Sequence, residues 1–163
     1  MKTFHLYSIS LLQGQSGKVE HLPISMKDGL IINMENHEKT WYIDAVFDRE
    51  HLAFFEKIKA DNRHILVEVI ITSPDNPPAA MITSIDTITE LSEHISVLFK
   101  AKMTGRMDDA IRNIVKSIIA EGLKGEEILE RFHCSMKNEP TYGKQTLNDL
   151  YKSLEEKGLY QLI

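Results

Sequence analysis

A change of rhythm near Gly105 constrains this chain more than any other feature. Before it, apolar residues alternate or run in short β-rich blocks, as half-buried strands require. After it, they recur at helical spacing to the last residue. The reading is an α+β chain: an antiparallel β-barrel-like body of about seven strands with one short helix, followed by a C-terminal helical segment. The body spans residues 1–104 and the helical segment 105–163, packed on the body as one structural unit.

The body begins with a strand from Thr3 to Leu12, a Gly-containing turn at Gln13–Gly17, and a returning arm at Val19–Leu22. Asp28-Gly29 reads as a tight turn, because glycine accepts positive φ without a steric penalty. Leu30, Ile31 and Ile32 then read as a compact buried strand. From Thr40 to Phe47 the alternation is cleanest, with Trp41, Ile43, Ala45 and Phe47 on one face and Tyr42, Asp44 and Val46 on the other. Asp48 is placed to cap a short helix whose apolar stripe is Leu52, Phe55 and Ile58. His64–Thr72 is a strongly apolar strand. Ser73–Pro78 holds three prolines and is therefore a loop. Ala79–Leu91 returns as a strand with Met81, Thr83, Ile85, Thr87 and Thr89 on one face and Ile82, Ser84, Asp86 and Ile88 on the other. Ile95–Lys100 completes the set.

In the tail, Ile111, Ile114, Val115, Ile118 and Ile119 follow one helical face, and Gly122 is a natural stop. A second helix from Glu126 to about Cys134 turns Ile128, Leu129 and Phe132 inward. A third, from about Lys144 to Lys157, buries Leu147, Leu150, Tyr151 and Leu154.

Charge narrows the function classes. The net charge is -5, and the pI is near 5.8. Through Thr104 there are 10 Lys+Arg against 14 Asp+Glu, and after it 9 against 10. Neither part is basic, which argues against nucleic acid as a partner, since that affinity rests on neutralising phosphates. The single cysteine, Cys134, excludes an internal disulfide and fits a reducing cytoplasm. His5, Ser8 and Ser10 interrupt the N-terminal apolar stretch, which therefore reads as a strand and not a signal peptide. No apolar run reaches the roughly 18 residues a membrane helix needs. The expectation is a soluble cytoplasmic chain with no membrane partner.

Short motifs carry a family resemblance. Met1-Lys2-Thr3-Phe4, the segment Asp28-Gly29-Leu30-Ile31-Ile32-Asn33 followed by Trp41, Ser96-Val97-Leu98-Phe99 and Ala120-Glu121-Gly122-Leu123-Lys124-Gly125-Glu126-Glu127 resemble the YwpF-like proteins of Bacillus-type Gram-positive bacteria. The resemblance covers roughly residues 1–135 and leaves the segment after Met136 as an extension. That family is uncharacterised. The resemblance therefore implies a cytoplasmic bacterial protein and lends no catalytic residues.

No motif points to an enzyme, a metal or a cofactor. The seven histidines lack zinc-site spacing. Gly14-Gln15-Ser16-Gly17 has no following helix to make an anion site. Cys134, near a helix C-terminus, reads as a half-buried apolar residue and not a thiolate. The candidate binding residues are aromatic: Trp41, Tyr42 and Phe54, the last adjacent to Phe55 and so unable to share its face easily; Trp41 and Phe47 also read as core, and core packing from both sides of the helix is the favoured reading of Phe54 and Phe55. The tail has the helix order of a winged helix, with Lys144, Gln145, Asn148 and Lys152 exposed on its third helix. Asp149, Glu155 and Glu156 oppose DNA contact there. The leading expectation is a non-enzymatic binding or protein-interaction module, with a protein partner or a second copy of the chain. The alternatives are a small-ligand-binding or enzymatic barrel with its site in the mouth, and weak DNA binding through the tail.

Overall fold

A computed structural model describes residues 1–15, 18–103 and 115–138. Seven strands fill the body: β1 (Lys2–Gln15), β2 (Lys18–Pro23), β3 (Met26–Asn33), β4 (Trp41–Asp48), β5 (His64–Ile71), β6 (Ala79–Glu90) and β7 (His94–Met103). Helix α1 (Leu52–Ala60) joins β4 to β5, and helix α2 (Glu126–Asn138) lies beyond the body. Every pairing is antiparallel. The order β1-β3-β4-β7-β6-β5 closes on itself through a β1–β5 pairing, giving a six-stranded barrel with β2 added to β1. Closure leaves no open edge in the ring. The α+β barrel-like reading of the sequence holds.

The core is the barrel interior. Leu6, Ile9, Leu11, Ile31, Ile43, Phe47, Val67, Met81, Val97 and Phe99 all project into it and are buried. Helix α1 adds Phe55 and Ile58 to the same core, as its stripe predicts. Phe47, Phe55 and Phe99 form an aromatic cluster with centroids 5.0 to 6.5 Å apart. The barrel end to which β4 leads is thus closed by side chains.

Three bulges correct the sequence reading. A strand's faces alternate strictly, so one extra residue moves every later side chain to the other face. In β1 the register shifts at Tyr7, so Leu6 and then Ile9 and Leu11 all face inward. In β6 it shifts at Asp86, which brings Ile88 onto the face of Met81 and Ile85 and turns Thr87 and Thr89 outward. The expected two-face division of that strand therefore holds only as far as Ile85. In β3 it shifts at Lys27.

Asp28-Gly29 is not a turn but the middle of β3. A Cβ on Gly29 would lie 2.7 Å from Met26 Sδ and 2.9 Å from Leu6 Cδ2. Glycine serves here for close packing inside the barrel, not for positive φ. Leu30, expected to be buried, alternates outward and is 45% exposed.

Asp48 makes no capping hydrogen bond. Its carboxylate instead meets Lys27 at 3.3 Å and His94 at 3.7 Å, tying the β3 bulge to the start of β7. In the tail, residues 115–120 are helical and Gly122, at φ +78°, ends that helix as expected. Ile118 is buried, but Ile119 and Leu129, expected to face inward, are each 60% exposed. Cys134 is exposed and not half-buried. The proposed third helix lies outside the described residues.

Candidate functional site

Strand β7 alternates Ile95, Val97, Phe99 and Ala101 into the core, so Ser96, Leu98, Lys100 and Lys102 must face outward. Cross-strand register extends this outer face. Tyr42 of β4 stands opposite Lys100, Lys100 opposite Ser84 of β6, and Ser84 opposite His64 of β5. One step along, Lys102 is opposite Ile82, and Ile82 opposite Leu66. Two neighbouring rows on the outer wall thus bring two lysines, a histidine and a serine around the aliphatic Ile82, with Tyr42 on the far side of Lys100.

A cavity of about 460 Å³ sits on this wall, lined by His64, Ile82, Thr83, Ser84, Lys100, Ala101 and Lys102. Thr83 and Ala101 point into the barrel, and the Thr83 hydroxyl donates to the Ile65 carbonyl at 3.0 Å. They therefore present backbone to the cavity. Ile82 supplies apolar floor, while Lys100, Lys102 and His64 supply donors. Among the described residues, none of these three has an ion-pair partner. In a chain of net charge -5, Lys100 and Lys102 make this a local concentration of positive charge.

Farther along the same outer face of β5, Glu68 stands opposite Ser10 and Ala80. His21 Nδ1 of β2 lies 3.4 Å from Glu68 Oε1. The other carboxylate oxygen, Oε2, is buried without a hydrogen-bond partner. Burial raises the Glu68 pKa above the ordinary carboxylate value, with the His21 charge opposing. Leu12, Leu66 and Ala80 also project outward here and are fully buried, so the wall is covered beside this pair.

The residues singled out from sequence separate. Trp41 packs inward against the core. Phe54 is half-buried and packs edge-on against Phe55 at 5.2 Å, also against the core. Tyr42 alone reaches the outer wall, beside Lys100. Lys144, Gln145, Asn148 and Lys152 lie outside the described residues. Sequence reasoning missed Lys100, Lys102 and His64. The signal available was the pair of lysines two apart, interleaved with Phe99 and Ala101 on a strand of strict alternation.

Among the described residues, no three His, Cys, Asp or Glu side chains come together as metal ligands. No described helix is long and apolar enough to cross a membrane.

The family model described as "YwpF-like protein" matches residues 2–135. The chain belongs to the YwpF-like family. A relative from Bacillus subtilis (strain 168), named "Uncharacterized protein YwpF", is 34% identical over 134 residues, covering 81% of this chain and 97% of the relative. A solved structure, described as the crystal structure of a hypothetical protein from Staphylococcus aureus, superposes with a TM-score of 0.57 at 25% identity. That match covers 83% of this chain and 93% of the other. The whole barrel, the cavity wall included, falls within the YwpF-like match, and residues from 136 onward fall beyond it.

Proposed function

We propose that this YwpF-like chain is a non-enzymatic binding module that works through the outer wall of its barrel at β5, β6 and β7. The observation that carries this reading is the position of the cavity. Small barrels that hold ligands do so in the interior or the mouth. Here Phe47, Phe55, Phe99 and Ile58 occupy the barrel end at α1, and the 460 Å³ cavity lies outside, among outward-facing residues. Its volume is in the range of small-molecule sites. A cytoplasmic location fits a chain whose one cysteine can form no internal disulfide.

The test is a fragment screen on the full chain by amide chemical-shift mapping. Hits are expected to move the amides of residues 82–84 and 100–102 on one contiguous face. Hits that instead move the amides of Phe47, Phe55 and Ile88 would return the site to the mouth.

A further inference from the structure

We infer that the outer-wall cavity takes a small organic anion with an apolar body, its charged end held by Lys100 and Lys102. This rests on the outer-wall reading and adds the chemical class of the ligand. The lysines are two residues apart on β7, so both ammonium groups stand on the same face within one pleat repeat. Their like charges repel, and among the described residues no carboxylate lines the cavity to offset them. A ligand anion supplies the missing charge.

The donors flank the site on two sides. Lys100 and Lys102 approach from β7 and His64 from β5, with Ser84 between Lys100 and His64. Their combined donors suit a carboxylate or phosphate, whose oxygens accept several charge-assisted hydrogen bonds at once. Beside the lysines lies Ile82, an aliphatic surface that a purely inorganic anion leaves uncovered. Burying that surface adds hydrophobic affinity to the ionic contact. A polyanion such as nucleic acid fits poorly. Two lysines and a histidine are few phosphate contacts, and the rest of the chain is net acidic.

The probes are phenyl phosphate, inorganic phosphate, benzyl alcohol and benzylammonium, titrated into the full chain at low salt and followed by calorimetry and amide shifts. Phenyl phosphate is expected to bind roughly tenfold more tightly than either inorganic phosphate or benzyl alcohol, which corresponds to about 1.4 kcal/mol. Benzylammonium should not bind. The double variant K100Q/K102Q should lose roughly tenfold in phenyl phosphate affinity. K57Q/K59Q, which removes the same charge from exposed positions on α1, should lose none. Circular dichroism of both variants checks that the barrel is intact. Equal binding of benzyl alcohol at the same amides, or full retention by K100Q/K102Q, would overturn the anionic ligand while leaving the outer-wall site standing. Shifts confined to Phe47, Phe55 and Ile88 would overturn both, and absence of any phenyl phosphate shift would overturn the anion site.

Discussion

Phe55 of α1 lies against Phe47 of β4 with ring centroids 5.0 Å apart, and this contact closes one end of the barrel. Both rings are fully buried. A helix that inserts its stripe into a barrel converts a potential ligand cavity into core. Truncating Phe55 removes a large ring from a site whose neighbours are fixed on strands and can collapse only in part. Phe55→Ala is therefore expected to lower stability by about 3–5 kcal/mol. Urea denaturation followed by circular dichroism measures it. A loss under about 1 kcal/mol would mean that α1 contributes little to the core.

Gly29 is held to glycine by space. An added Cβ meets Met26 Sδ, Leu6 Cδ2 and, at 3.1 Å, Leu6 Cβ. The Met26 side chain can swing away, but Leu6 sits on a paired strand and its Cβ moves only with the backbone. Gly29→Ala is expected to cost about 1–3 kcal/mol despite the gain in β-compatible geometry. A thermal melt checks this, and a variant as stable as the parent would show that β1 and β3 can separate freely at this point.

Glu68 gives the stability a pH dependence of known sign. Burial raises its pKa in the folded chain above the unfolded value, so the folded chain holds the proton more tightly. The resulting stabilisation is complete below the unfolded pKa and is lost as pH rises through the raised folded value. One oxygen of this carboxylate is buried without a hydrogen-bond partner, which penalises its ionised form. Glu68→Gln is expected to flatten this part of the pH profile and to stabilise the chain at neutral pH by about 1 kcal/mol. Denaturant midpoints at mildly acidic and neutral pH decide the matter. If Glu68→Gln proves less stable than the parent at neutral pH, the His21 contact at 3.4 Å outweighs the burial.

Much of the barrel was legible because inward and outward residues alternate. Trp41 to Phe47 divides as its pattern indicates, and the stripe Leu52, Phe55 and Ile58 turns toward the core. What misled were the residues at which alternation is broken deliberately. Tyr7 and Asp86 each interrupt a strand without any Gly or Pro to mark the place. Asp28-Gly29 carries a turn signal but serves a close approach to Leu6. Asp48 satisfied the capping pattern, yet Lys27 and His94 compete for its carboxylate across the fold.

The candidate site was less legible for a different reason. Its members come from three strands, and each alone is an ordinary exposed strand residue. Only the register, Lys100 to Ser84 and Ser84 to His64, makes them neighbours. Of the aromatic candidates, Tyr42 alone joins that row, since Trp41 and Phe54 pack against the core.

The proposed ligand binds on the outer wall, over Ile82 and beside Lys100 and Lys102. Intermolecular nuclear Overhauser effects in the complex of the full chain with phenyl phosphate test it most directly. Contacts from the ring protons to the Ile82 methyl groups are predicted, with none to Phe55 or Ile58. Contacts to Phe55, Ile58 or Ile88 instead would contradict it and put the ligand inside the barrel.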